Sequence, residues 1–86
     1  MKVRVPSPLY SYTGGQSAVE AEGGTLREVL ADLDARFPGL RFRVVDEQDG
    51  IRPHIRFFVG GEMATGLAAP VAPGAEVQII CALSGG

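Results

Sequence analysis

The sequence predicts an α+β domain in which a mixed sheet of four or five strands carries one main helix across a single face. Several short segments place apolar residues at every second position. One segment alone repeats them at three- and four-residue spacing, directly behind a helix-capping sequence, and glycine or proline breaks separate all of these segments. With 86 residues, 45% of them apolar, the chain has material for one core and no second one. None of the breaks has the composition of a linker, so residues 1–86 are read as a single domain, with 84–86 as a flexible Gly-Gly tail.

Lys2 to Val5 alternates polar and apolar residues with Val3 and Val5 on one side, the pattern of a half-buried first strand ended by Pro6. Ser17 to Ala21 reads as a second strand, joined to the first as a hairpin through Tyr12 to Gly15. Thr25-Leu26-Arg27-Glu28 is a capping box, in which the Thr hydroxyl accepts from the third helical amide and Glu28 bonds back. From there Leu26, Val29, Leu30, Leu33 and Phe37 trace a buried helical stripe that Pro38-Gly39 closes, and Arg27, Asp32, Asp34 and Arg36 form an ordinary solvated outer face. Leu40 to Val45 fits a helical turn and an extended segment equally well, and Asp46 to Gly50 is an acidic loop.

His54 to Val59 reads as a strand with Ile55, Phe57 and Val59 inward and Phe58 outward; Gly60-Gly61 turns it toward a short strand near Met63. Leu67 and Val71 are expected to plug the core from a long connection. Pro73-Gly74 then leads into a last strand, Glu76 to Leu83, with Val77, Ile79 and Cys81 on one side and Gln78, Ile80 and Ala82 on the other. One helix covers one face of such a sheet, so the other face is left bare.

Composition excludes several classes. A net charge of −2 gives no basic stripe for a phosphate backbone, so no nucleic acid partner is expected. No apolar run approaches the roughly 20 residues of a membrane span, and Met1 to Pro6 lacks the apolar segment and cleavage site of a signal peptide. No membrane association and a cytoplasmic location are the corresponding expectations. Cys81, the one cysteine, allows no internal disulfide and no metal site, and its strand parity marks it as a buried, inert thiol. His54 is the one imidazole, reads as a surface or edge residue, and has no nucleophile-and-orienter partnership in view. The Gly-Gly pairs are not followed by the lysine and hydroxyl residue of a phosphate-binding loop. No cofactor and no metal are therefore expected on this chain.

Two features remain. Phe58 and Ile80 fall on the outward parity of strands expected to be neighbours, and Met63 joins them at the hairpin, which makes an apolar patch on the bare face. The last strand also delivers Leu83-Ser84-Gly85-Gly86 as a projecting tail whose two final residues lack Cβ and can enter a narrow channel, presenting a free carboxylate as a substrate.

The hairpin and capped helix, the stretch Arg52 to Glu62, the turn Pro73 to Val77 and the ending Ala82-Leu83-Ser84-Gly85-Gly86 together resemble the ubiquitin-like β-grasp sulfur carriers. That family contains the small subunit of molybdopterin synthase and the thiamin- and cysteine-pathway carriers. Gly60 stands where the family commonly has Asn, Ala75 where it often has Asp, and Pro6 where it often has an aromatic.

The resemblance implies that an E1-like adenylyltransferase and sulfurtransferase uses ATP to adenylate the Gly86 carboxylate, which a sulfur donor, in some systems a protein, converts to a thiocarboxylate. A downstream enzyme then passes the sulfur to a small-molecule acceptor. The chain would be a protein cosubstrate rather than an enzyme. Gly85 and Gly86 would form its reactive tail, and Pro6, Phe58, Met63, Ile80, Ala82, Leu83 and Ser84 its partner-binding surface. The Tyr12 to Gln16 loop and the insertion at Asp46 to Gly50 look more like carriers for cysteine biosynthesis or secondary-metabolite sulfur incorporation than like the thiamin carrier. The small subunit of molybdopterin synthase and a β-grasp interaction module whose tail is never activated are the alternatives.

Overall fold

The computed structural model describes residues 1–82. Five strands form one mixed sheet: β1 (Lys2–Arg4), β2 (Ala18–Glu20), β3 (Ile55–Val59), β4 (Glu62–Ala64) and β5 (Val77–Cys81), in the order β2-β1-β5-β3-β4. The first and last strands run parallel at its centre, with Val3 beside Val77, and every other pairing is antiparallel. Helix α1 (Leu26–Arg36) and the short helix α2 (Leu40–Val44) share the core with the inward side chains of the sheet. This is the β-grasp arrangement that the resemblance implied.

Alternation settles what each strand buries. Val3, Val19, Ile55, Phe57, Val77 and Ile79 are buried, and from the helical side Leu26, Val29, Leu30 and Leu33 meet them as the predicted stripe. Leu67 and Val71 are buried as predicted, and the connection that holds them has a second task. The Leu26 amide donates to the Ala69 carbonyl at 2.9 Å and the Arg27 amide to Leu67 at 3.0 Å, so two donors that every helix start leaves orphaned are satisfied by a segment forty residues away in the chain.

Several expectations are corrected. β1 ends at Arg4 and β5 at Cys81, although the Val5 and Ala82 amides still donate to the Ser17 and His54 carbonyls; Leu83, the predicted end of the last strand, lies outside the described residues. The first two strands pair antiparallel as the predicted hairpin, but their connection holds more than Tyr12 to Gly15: a 3-10 turn (Ser7–Leu9) precedes that segment and buries Leu9. Thr13, the one buried polar side chain among the described residues, closes the rest by donating to the Gln16 carbonyl at 2.8 Å. In the capping box the Thr25 hydroxyl accepts from the Glu28 amide as predicted, whereas the Glu28 carboxylate reaches one residue further back, to the Gly24 amide at 2.7 Å.

The ambiguous Leu40 to Val45 segment is helical over α2, which buries Leu40 and Val44 one turn apart and leaves Phe42 exposed. Asp34 is not mere solvated surface, since it accepts from the Gly39 and Arg41 amides and joins α1 to α2. Asp32 likewise accepts from the Glu22 amide, whose bond, followed by Arg36, holds its carboxyl below the usual carboxylate range.

Candidate functional site

β5 is the central strand, and its C-terminal end is where the sequence places the tail. Cys81 lies opposite Ile55, and the Ala82 amide donates to the His54 carbonyl at 2.7 Å. β5 is paired with β1 at Val77 and Gln78 and with β3 along its whole length, so Cys81 and Ala82 are held from the β3 side. Ala82 is exposed. Leu83, Ser84, Gly85 and Gly86, the rest of the predicted tail site, lie outside the described residues.

The face of the sheet away from α1 carries the remaining predicted positions. Register aligns Arg4, Gln78, Phe58 and Met63 in one row across four strands, and Ile80 and Arg56 opposite each other in the adjoining row. Phe58 and Ile80 are thus diagonal neighbours on the same face, within reach of each other's side chains. Gly60 and Gly61 fix this register, because both take positive φ, 58° and 88°, in a two-residue hairpin loop that sets Phe58 directly opposite Met63. The conformation of Gly60 is one that Asn also tolerates, so glycine in place of the family's common residue is compatible with the same turn.

Exposure is less uniform than parity alone suggested. Met63 is 54% exposed, whereas Phe58 and Ile80 are half-buried among their neighbours. Pro6 and Ile80 share a shallow depression of about 330 Å³ with Arg4, Tyr10 and Cys81. Arg4 forms an ion pair with Glu76 at the edge of the patch. The surface is thus an apolar strip, Met63, Phe58, Ile80 and Pro6, flanked by guanidinium groups, the composition of a protein interface more than of a small-molecule pocket.

Cys81 requires a correction. It shares the inward parity of Val77 and Ile79 but is half-exposed, because pairing with β1 stops at Gln78 and leaves Cys81 with a strand partner, Ile55, on one side alone, so that the residue borders a groove. His54 is exposed, as predicted. Among the described residues no group of three or more His, Cys, Asp or Glu side chains could hold a metal ion, and no helix is long and apolar enough to cross a membrane. The sequence reading missed Phe42, 53% exposed, because the element that turns it outward was left open; the spacing of Leu40 and Val44 was the available signal.

Comparison with known proteins gives a consistent picture. A family model described as the ThiS family matches residues 3–86. The sulfur carrier protein CysO of Mycobacterium tuberculosis is 36% identical over 89 residues, covering 98% of this chain and 96% of that protein. A chain in the crystal structure of the Amycolatopsis orientalis BexX/CysO complex superposes with a TM-score of 0.91 at 34% identity, covering 99% of this chain and 98% of its own. Small archaeal modifier protein 1 of Haloferax volcanii superposes with a TM-score of 0.71 at 25% identity, covering 91% of each chain.

Proposed function

The chain belongs to the ThiS family, and from that premise we propose that it is a sulfur carrier whose reacting group is the carboxylate of Gly86. The observation that carries this reading is that the family match runs through residue 86, so that Gly85 and Gly86 lie inside the matched segment. On an E1-like enzyme the Gly86 carboxylate attacks the α-phosphate of ATP, pyrophosphate leaves, and a mixed anhydride with AMP results. A sulfur nucleophile attacks the carbonyl carbon, AMP departs with the bridging oxygen, and a C-terminal thiocarboxylate remains. A second enzyme presents an electrophilic small molecule to that sulfur, which displaces its leaving group to form a thioester; water then cleaves the acyl carbon–sulfur bond, so that the sulfur stays with the small molecule and the carrier returns as a carboxylate.

In this cycle the chain contributes no acid, base or nucleophilic side chain. It is a cosubstrate, with ATP bound by the activating enzyme, and it works in the cytoplasm, where ATP is supplied. Both enzymes need a surface to grip. Met63, Phe58, Ile80 and Pro6 offer it, while Ala82, Leu83 and Ser84 connect it to Gly85 and Gly86. The complex of the Amycolatopsis chain with BexX supports a dedicated partner enzyme, and the likeness to CysO proteins supports an acceptor in cysteine or secondary-metabolite sulfur incorporation over the molybdopterin route.

A second reading is favoured by the Haloferax relative, a modifier protein by name: the activated tail is joined to amines of other proteins. One experiment addresses both. After incubation with an E1-like activator, ATP and sulfide, intact mass spectrometry is expected to show oxygen replaced by sulfur at the C-terminus, and removal of Gly86 abolishes the change. Transfer to a target lysine instead supports the modifier reading, and an unaltered mass with a demonstrably active activator overturns both.

A further inference from the structure

The arginines divide into two groups. Arg4, Arg27, Arg36 and Arg41 each pair with a carboxylate, Glu76, Asp49, Asp32 and Asp49 respectively. Arg43, Arg52 and Arg56 make no ion pair with a described carboxylate; Arg43 and Arg52 line a groove with Cys81, and Arg56 lies opposite Ile80, both near the described end of β5. In a chain of net charge −2, this clustering of unneutralised guanidinium groups is a local inversion of sign.

The shape beneath them is specific. A groove of about 430 Å³ is lined by Leu9, Phe42, Arg43, Arg52, His54 and Cys81. A second depression of about 450 Å³, lined in part by Arg56 and Met63, shares Arg52 and Ile55 with the first. Arg52 is fixed in place: its Nε donates to the Phe42 carbonyl at 2.8 Å and its guanidinium lies over the Phe42 ring, 4.6 Å from the centroid. Stacking holds the planar fork without using its terminal N–H groups, so they are pre-oriented for an incoming carboxylate at little further entropic cost. Asp46 feels the charge of Arg52 but commits its Oδ1 to the Gln48 and Gly50 amides.

We propose that this arginine-rimmed groove is a second docking surface, continuous through Met63 with the bare sheet face, for an acidic segment of the enzyme that handles the tail: an apolar side chain seated against Phe42, Leu9 and Cys81 and flanked by carboxylates on Arg43 and Arg52. The identity of that enzyme rests on the sulfur-carrier reading, but the groove's chemistry does not. Charge complementarity fixes the occupant's sign, and the apolar part of the lining fixes its need for an anchor. The function of the rim is to orient the carrier so that the chain beyond Ala82 points into the partner.

The test uses the isolated full chain and needs no activation, so its outcome is separable from that of the thiocarboxylate experiment. The 15N-labelled protein is titrated with a blocked peptide, acetyl-Asp-Glu-Asp-Phe-Asp-Glu-amide, and with its Asn/Gln counterpart. Amide shifts are expected to concentrate at Phe42, Arg43, Arg52, His54 and Cys81 with the acidic peptide alone, and to fade at high salt. In the doubly substituted R43E/R52E protein the acidic peptide's affinity falls roughly tenfold or more, whereas R36E leaves it within about twofold. Retention of the wild-type methyl spectrum in R43E/R52E shows that the loss is not unfolding.

Equal shifts with the neutral peptide, or shifts spread equally over Arg4, Arg27 and Arg36, overturn the proposal. So does tighter binding of a short oligouridine than of the peptide at the same residues, which would make the groove a nucleic-acid site. A gain in peptide affinity on deleting residues 83–86 also overturns it, because the groove would then belong to the chain's own tail.

Discussion

Met63 stands 54% exposed while Phe58 and Ile80 are half-buried, and this difference determines which substitution is informative. Aspartate at Ile80 would perturb packing and docking together, whereas Met63→Asp places a carboxylate where only a partner would bury it. Desolvating an unpaired charge at the centre of an interface costs on the order of 2 kcal/mol or more, so Met63→Asp is expected to weaken binding to the activating enzyme by about thirtyfold with unchanged thermal stability. Isothermal titration beside a melting curve checks both halves; loss of stability with intact binding would place Met63 outside the interface.

Asp46 permits a second prediction at this scale. Its Oδ1 accepts from the Gly50 and Gln48 amides, and those bonds, Gly50 first, hold its carboxyl below the usual value of about 3.9. A depressed folded value contributes stability above the unfolded value, and the contribution is lost as pH falls through the folded one. The 46–50 loop is therefore expected to keep its amide shifts down to about pH 4 and to lose those of Gln48 and Gly50 below it. In Asp46→Asn that pH step disappears. A step that survives the substitution would assign the titration to another group.

At the scale of elements, the start of α1 carries the most local information. The Thr25 hydroxyl accepts from the Glu28 amide, and Thr25→Ala is expected to cost about 1 kcal/mol by chemical denaturation. Gly23 is more demanding. It sits at φ 154°, and a Cβ there would lie 2.6 Å from the Val29 amide nitrogen and 2.9 Å from the Glu28 carbonyl carbon, both helix backbone that cannot step aside. Gly23→Ala is therefore expected to cost about 1–3 kcal/mol, more than the lost cap, and the reverse order in urea midpoints would show that the helix start yields.

The sequence disclosed the cap because a capping box is a pattern over four residues, but the clash at Gly23 arises from chain geometry that no composition records. Asp34 makes the same point. On a helical wheel it is outer surface, and its bonds to Gly39 and Arg41 exist only because the chain turns back into α2.

On the scale of the molecule, Phe57 is the largest fully buried side chain and lies on β3, which pairs with β5 through five residues and with β4 through three. Phe57→Ala is expected to cost about 3–5 kcal/mol out of a total of roughly 5–15, lowering the Tm by more than about 12 °C. A smaller shift would mean that the core closes over the vacancy. The same pairing explains why core and docking face are coupled: Phe57 fixes the strand from inside, and the register it enforces presents Phe58 outside, between Gln78 and Met63.

The alternation of Val3 and Val5, Phe57 and Phe58, or Ile79 and Ile80 determined from the sequence alone which side chains face inward, and the hairpin with its capped helix, the 52–62 stretch, the 73–77 turn and the ending 82–86 together carried the resemblance to sulfur carriers. These are properties of adjacent residues, and a strand's period of two or a helix's of 3.6 is set by backbone sterics before any partner is chosen. The tertiary structure alone decided that β5 lies centrally between β1 and β3, that the 65–71 connection satisfies the start of α1, that Cys81 opens onto a groove, and that Arg43 and Arg52 meet around it. Each of those depends on contacts between residues far apart in the chain, whose partners are selected by the burial of the whole core rather than by any local pattern.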